Sequence, residues 1–455
     1  MNPKKYLGTL YKMIPANLKF QSKVESAPAR RFLTQIQPQG STSFGMGETI
    51  TINIPTRANT ALIPSESYLK GVLNLSCSTA SATAATFESA GVHGMIQRIR
   101  VFHGSNLLED IDNYSQLAKI LYDFQASDDT VKGRFAVTSA TNPQYNVTSG
   151  TIVRGVNRGA TTAVTITTAT AVPFAINLIS LCGALAGDKY LPLWQMTAAP
   201  LRVEIVLKSS VVTTLMSLAA GTTASQLFTV TGVNYCGEFL ELPDSAISAI
   251  NAGSSSPMQM VLPSYRSFTN SAAITTAGTS VSFPIPAKYS SLKNIFVVGR
   301  DSAKVAADGQ YPNSHCKFGL TSYSFRVGAE VLPSNQPASV PEFYSEAIKC
   351  FGSLADLAFQ PSIDLVSYEL NVPNTIASAG DASLLDSGSF VVGIDMEVYS
   401  NADKSSIFAG TNTNNSDIFF NGNYTPAASI TLLQTAFAAY DQVLVCENGV
   451  MYARY

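Results

Sequence analysis

Charge is scarce in this chain: 29 basic and 31 acidic side chains make up only 13% of 455 residues, with a formal net charge of −2. Histidine is scarcer still, with only His93, His103 and His315, and there is one tryptophan, Trp194. Acid–base, nucleophilic and metal chemistry all need convergent ionisable groups, and no spacing in the sequence brings such groups together. HExxH, paired Cys/His spacings and an aspartate-rich calcium loop are all absent, so no metal site is expected. Neither a Walker A loop nor a GxSxG elbow occurs. Gly45-Met46-Gly47 lacks the third glycine and the strand-to-helix context of a dinucleotide site. The expectation is a protein that is not an enzyme, with no catalytic, cofactor-binding or metal-binding residues and no cofactor. Six cysteines (Cys77, Cys182, Cys236, Cys316, Cys350, Cys446) stand singly, without CxxC spacing. That excludes a disulfide scaffold and predicts buried reduced thiols in a protein made inside a cell. No window approaches twenty consecutive apolar residues, so no membrane-spanning helix is expected. The first twenty residues have no apolar stretch or cleavage site of a secretory signal.

What is present is 46% hydrophobic residues, enough for large cores. At roughly 150 residues per domain, the length implies two or three domains. A weakly charged, Ser/Thr/Ala-rich surface fits a chain packed against copies of itself better than a free monomer. The charge is also uneven. Residues 1–31 carry Lys4, Lys5, Lys12, Lys19, Lys23, Arg30 and Arg31 against Glu25 alone, a balance of +6 that leaves −8 for the rest. In this arm Leu7, Leu10, Tyr11 and Ile14 recur at i, i+3, i+4 and i+7, a one-sided helical stripe that Pro15 ends. Lys5 and Lys12 fall on the opposite side. The residues Lys4, Lys5, Leu7, Leu10, Tyr11, Lys12 and Ile14 read as a basic amphipathic anchor for a lipid surface or packaged nucleic acid. The competing reading is an arm that docks on a neighbouring subunit.

From residue 32 onward the pattern is β. Alternation at period two marks strands at 50–54, 68–77, 96–102, 201–207 and 227–240 in one half. In the other half it marks 282–286, 295–299, 323–327, 366–372, 390–399 and 443–446. Regular strands with Gly, Pro, Asn and Ser between them indicate sandwiches rather than a doubly wound parallel sheet. Three helices stand out. Tyr114, Leu117, Leu121 and Phe124 form one stripe, with Asp112 as the expected cap. Ser339-Val340-Pro341-Glu342 is a capping box opening a second. Residues 243–251 form a third, stopped by Gly253 and followed by the linker-like GSSSP.

The helices expose an internal repeat. RIRVFHGSNLLEDIDNYSQLAKILYDF, from Arg98, and SFRVGAEVLPSNQPASVPEFYSEAIKCF, from Ser324, both read strand, glycine turn, short strand, helix. Arg100-Val101 and Arg326-Val327 occupy matching places, 226 residues apart. Each half is also expected to end in a long hairpin, at 227–242 and 432–455. Glu109, Asp110 and Asp112 precede the first helix, where capping and the helix dipole favour negative charge, so a glycosidase-like carboxylate pair is the weaker reading. His103 is expected to end a strand, and Trp194 to be a buried packing anchor. Arg98 with Arg100, and Arg154 with Arg158, lack the density and interleaved aromatics of a nucleic-acid groove, so no sequence-specific nucleic-acid binding is expected.

Taken in order, these segments resemble double jelly-roll major capsid proteins, the lineage of adenovirus hexon and tailless phages, nearest to those of polinton-like viruses and virophages. GETITINIPTRANTALIPSESYLKGVLNLS resembles the family's opening strands, and IQRIRVFHGSNLLEDIDNYSQLAKILYDF its strand–turn–helix block. DKYLPLWQMTAAPLRVEIVL resembles the segment leading into the last strands of the first roll, and NYCGEFLELPDSAISAI the crossing between rolls. FPIPAKYSSLKNIFVVGRDSA and SFRVGAEVLPSNQPASVPEFYSEAIKCF resemble the start and helix block of the second roll. The resemblance implies an all-β fold of two tandem eight-stranded jelly rolls with short flanking helices. A basic arm at 1–31 precedes a first roll at 32–242, a connecting helix and linker at 243–256, and a second roll at 257–455. It implies homotrimers, pseudo-hexameric capsomers that tile an icosahedral virion shell beside minor capsid and penton proteins. The arm would then face inward, toward an inner membrane or packaged DNA. Residues 127–170 read as the longest exposed loop or tower, with 210–225, 300–317 and 400–425 behind it. The alternative from another class is a tandem β-sandwich for carbohydrate binding or adhesion.

Overall fold

The computed structural model describes residues 29–77, 83–87, 89–139, 144–146, 151–153, 164–166, 169–210, 216–218, 226–253, 257–305, 311–352, 354, 361–363, 365–373, 388–398 and 409–455. The seven arm residues from Lys4 to Ile14 lie outside these, as do Arg154 and Arg158. Arg30 and Arg31, counted above with the arm, belong to the first strand.

Eight strands build the first half: β1 (Arg30–Ile36), β2 (Thr49–Ile54), β3 (Thr60–Cys77), β4 (Ile96–His103), β5 (Asn106–Asp112), β6 (Ala169–Ile176), β7 (Leu201–Leu207) and β8 (Gln226–Glu241). They form two sheets, ordered β1-β8-β3-β6, with the short strand Phe44–Gly45 also paired to β8, and β2-β7-β4-β5. The second half supplies β9 (Met258–Ile274), β10 (Thr279–Ile285), β11 (Leu292–Asp301), β12 (Leu320–Val327), β13 (Glu330–Leu332), β14 (Val392–Asp395), β15 (Ile418–Tyr424) and β16 (Ile430–Glu447). Their order is β9-β16-β11-β14 and β10-β15-β12-β13, which is the first pattern with eight added to every strand number. A last strand, β17 (Val450–Arg454), pairs with β16. The chain is therefore two eight-stranded jelly rolls in tandem.

Local chemistry explains the strands. In β2 the side chains of Ile50, Ile52 and Ile54 are buried while Thr49 is exposed, and in β7 Leu201, Val203, Ile205 and Leu207 point inward between half-exposed Arg202, Glu204 and Val206. Period-two burial of branched residues fixes which face meets the opposing sheet, and a one-residue slip would invert it. In the second roll Val281, Phe283 and Ile285 of β10 do the same.

The repeat is real in three dimensions, with a shifted alignment. The β4–β5 turn closes between His103 and Asn106, and the β12–β13 turn between Val327 and Glu330. Gly104 and Gly328 hold the first central position of each at φ +61° and +60°, the left-handed geometry a two-residue hairpin of this kind needs. The offset is thus 224 residues rather than 226, and Phe102, not Arg100, occupies the place of Arg326. A two-residue shift leaves every side chain on the same face, which is why the sequence pattern could not detect it.

Four helices are used here: α1 (Tyr114–Gln125), α2 (Asp244–Gly253), α3 (Val340–Lys349) and α4 (Leu365–Glu369). The Ser339 capping box forms, with Glu342 Oε2 accepting from the Ser339 N–H at 2.9 Å. Asp112 does not cap α1. It stays in β5 opposite Arg98, and the helix starts after Asn113, whose φ of 51° turns the chain without a side-chain cap.

Other expectations fail for identifiable reasons. The expected hairpin at 227–242 is instead one continuous strand that ends at Glu241, because Gly232 at φ +63° accommodates a bulge rather than a reversal. The hairpin at the other end does form, around Asn448-Gly449 with φ of 52° and 79°. Residues 366–372, read as a strand, contain α4, which buries Ser367 and Tyr368 and leaves Leu365 and Val366 outside. The strand at 390–399 shrinks to β14. Within the segments expected as exposed loops, Tyr311–Cys316 are buried and 418–424 is the core strand β15. Residues 127–139 are helical turns rather than open loop. Short strands Thr83–Phe87, Val164–Ile166 and Met216–Leu218, from three separate loops, join in a small sheet that extends the first roll.

Candidate functional site at the seam between the two rolls

The best-built polar constellation lies where the rolls meet. Strand β5 packs against β9 and β17 of the second roll, and α1 is buried between the halves. The apolar stripe of α1, Tyr114, Leu117, Leu121 and Phe124, is fully or nearly buried as the sequence indicated. Ser115, Lys119 and Asp123 recur every four residues along a second line, and these are buried too. Such a helix has no solvent face, so each polar group on it needs a partner.

Several of those partners come from the other roll. Lys119 Nζ, 0% exposed, donates to Asp123 Oδ2 at 2.7 Å and to Ser389 Oγ at 3.2 Å. Ser389 Oγ donates to the same Asp123 oxygen at 2.7 Å and accepts from Ser367 Oγ at 3.0 Å. Ser115 Oγ donates to Asn313 Oδ1 at 3.1 Å, and Ser362 Oγ to the Tyr122 carbonyl at 3.0 Å. Aromatic packing also joins the two rolls. Phe124 stacks on Phe351 with centroids 4.8 Å apart and meets Tyr368 edge-on at 6.4 Å.

The acidic cluster is part of this seam, not of a helix terminus. Asp110 accepts from Arg98 Nε and Nη2 at 2.6 and 2.7 Å, and from Arg266 Nη1 of β9 at 2.6 Å. Burial works to raise the Asp110 pKa, but the Arg98 hydrogen bond and the Arg266 charge outweigh it and hold the carboxyl below its usual range. Glu109 points the other way, into the first roll, where Ser180 Oγ and the Leu181 N–H donate to it. Burial pushes its pKa up to about 7. A pKa near 7 is what a general acid needs, yet Glu109 is 1% exposed and its partners are fixed, so no substrate can reach it.

The histidines are structural as well. His103 ends β4, and its Nδ1 accepts from the Met451 N–H of β17 at 3.0 Å. His93 lies between Tyr114 Oη at 2.9 Å and Tyr122 Oη at 2.7 Å. Burial drives its pKa down to about 3, and burial also holds His315 well below the ordinary value, aided by the Lys119 and Arg300 charges. Folded His93 therefore stays neutral where the unfolded chain binds a proton. Its contribution is fully present above pH 6.5 and is lost as pH falls toward 3. By pH 5 the loss should be about 2 kcal/mol, at about 1.4 kcal/mol per unit. The H93Q variant should lack this increment, read as a smaller drop in denaturant-unfolding free energy from pH 7 to pH 5 than in the wild type. Equal drops would show that His93 does not carry the acid sensitivity.

Cys182, Cys236, Cys316, Cys350 and Cys446 are buried free thiols. Among the described residues no group of three or more His, Cys, Asp or Glu side chains is placed to hold a metal ion, and no helix is long and apolar enough to cross a membrane. Trp194 is only half-buried, and it lines a groove of about 640 Å³ together with Tyr190, Leu242, Ile250, Met258 and Met260. Its indole N–H is enclosed without a hydrogen-bond partner. The sequence did not reveal the seam. The spacing of Lys119 and Asp123 was visible, but an i,i+4 pair usually marks a solvent face, and only the fold shows the second roll covering it.

No family profile matches the sequence, and no curated protein matches it. Solved structures do match over nearly the whole chain. The Faustovirus major capsid protein is 10% identical, with a TM-score of 0.61, over 97% of this chain and 94% of its own. The mavirus major capsid protein is 10% identical, with a TM-score of 0.55, over 98% and 94%. The PBCV-1 protein VP54, fitted into a reconstruction of the virophage Sputnik, is 10% identical, with a TM-score of 0.61, over 96% and 99%. The class defined is the all-β, two-layered jelly roll, present twice in one chain. More particularly, this chain has the double jelly-roll fold of viral major capsid proteins.

Proposed function

We propose that this chain is the major capsid protein of an icosahedral virus, located in the virion shell and assembled as homotrimers. The observation that carries the reading is the repetition of one eight-stranded sheet order in both halves, locked together by the seam. Three such chains present six similar rolls, a pseudo-hexagonal block that can tile a facet by closed symmetric association. Surface chemistry supports burial by neighbours. Leu365 and Val366 of α4 are 66% and 65% exposed, and Leu354 is 58% exposed. Apolar side chains left outside on a weakly charged surface favour contact with other copies. The role is structural rather than catalytic: Glu109, Asp110, His93 and His103 are engaged in internal hydrogen bonds, and His315 is fully buried.

Native mass spectrometry of the purified protein should give a species of three times the 48.3 kDa chain mass. It should persist on dilution, because large obligate interfaces do not dissociate readily. Negative-stain images should show a hexagonal outline. A stable monomer at micromolar concentration would sink the reading.

A further inference from the structure

The groove at Trp194 lies between the first roll, helix α2 and the start of β9. Tyr190 and Ile250 remain 45% and 38% exposed on its walls. Arg31, in the second position of β1, pairs with Leu240, which also lines the groove. Residues 1–28 therefore join the fold beside this opening. A tether of residues 15–29 can span at most ~50 Å, long enough to bring the preceding segment back over it.

Chemistry selects what fits. Leu7, Leu10, Tyr11 and Ile14 present one apolar face at helical spacing. Met258 and Met260 supply an adaptable apolar wall, and Tyr190 and Trp194 supply aromatic faces. Residues 1–28 hold five lysines against Glu25. Asp188 in the lining and exposed Glu241 and Asp244 beside it offer acids to these lysines, alongside Lys189 in the lining and Arg30 and Arg31 of β1. A lipid surface is the weaker match, because a single short apolar stripe gives marginal membrane binding.

We propose that residues 1–14 dock their Leu7, Leu10, Tyr11 and Ile14 face into this groove of their own chain. The proposal stands apart from the capsid reading and does not depend on the oligomeric state.

Trp194 is the chain's only tryptophan, so its fluorescence reports on the groove. The full-length protein is compared with a full-length variant carrying Leu7→Asp, Leu10→Asp and Ile14→Asp, with folding of both checked by circular dichroism. The variant should show red-shifted Trp194 emission and stronger quenching by acrylamide. A peptide of residues 1–28 should reverse both changes saturably. It should fail to do so when the variant also carries Ile250→Asp. The proposal is overturned if wild type and variant emit alike. It is also overturned if the wild-type shift appears only with phosphatidylglycerol vesicles, which would assign the arm to lipid. Loss of the wild-type shift on dilution would overturn it too, by assigning the groove to another copy's arm. Native mass spectrometry of both proteins reads the trimer separately, so failure of docking with trimers intact leaves the capsid reading untouched.

Discussion

Replacing Asp123 with alanine should destabilise the protein by about 3–5 kcal/mol, the range for removing one partner of a buried ion pair. Lys119 Nζ and Asp123 Oδ2 are 2.7 Å apart, with side chains 0% and 1% exposed. Without Asp123 the ammonium would keep, among the described residues, Ser89 Oγ at 3.4 Å and Ser389 Oγ at 3.2 Å, and Ser389 would lose this acceptor. The cost comes from the stranded charge, not from the pair's intrinsic strength. The double variant Lys119→Met/Asp123→Leu should therefore recover most of the loss, since replacing both partners by apolar groups is often neutral. Denaturant unfolding of the two variants makes the comparison. A single-variant cost below about 1 kcal/mol, as for a surface pair, would mean that water reaches the seam.

The second large effect is expected at Phe124. Its ring stacks on Phe351 at 4.8 Å and meets Tyr344 and Tyr368 at 6.4 Å, so one residue of the first roll anchors an aromatic cluster of the second. Phe124→Ala should cost about 3–5 kcal/mol through lost burial and the cavity left behind. It should also change the form of unfolding. With the junction weakened, the rolls should melt in two resolved steps in calorimetry, because coupling between them is what enforces a single transition. A cycle with Phe351→Ala should give a coupling energy of about 0.5–3 kcal/mol, as for residues in direct contact. Additive effects with one sharp transition would place the coupling elsewhere, with Asp110 bridging Arg98 and Arg266 as the next candidate.

Much of the architecture was legible because burial has a period. Ile50, Ile52 and Ile54 announced β2, LRVEIVL announced β7, and the stripe from Tyr114 to Phe124 announced α1, each at its observed place. The Ser339–Glu342 box was legible for the same reason: its hydrogen bonds are local. Misreadings cluster where distant partners decide. Residues 366–372 alternate like a strand, but 365–369 form α4, and Tyr368 Oη donates to the Val391 carbonyl at 2.8 Å. Glu109, Asp110 and Asp112 looked like a helix start because α1 follows, yet β5 holds all three in a sheet.

By itself the sequence determined that the chain holds two β halves, where the strongly periodic strands and the capped helices fall, and that no common catalytic or metal motif is spelled out. Periodicity and capping are short-range codes, written within a turn or a strand and readable there. Only the tertiary structure decided that Lys119 and Asp123 are buried, that Asp110 is shared with Arg266 of the other roll, and that Trp194 lines a groove rather than a core. These depend on contacts between residues some 150 to 270 positions apart, such as Asp110 with Arg266 and Lys119 with Ser389. Burial of a charge is a property of what packs over it, and no local pattern in the chain carries that information.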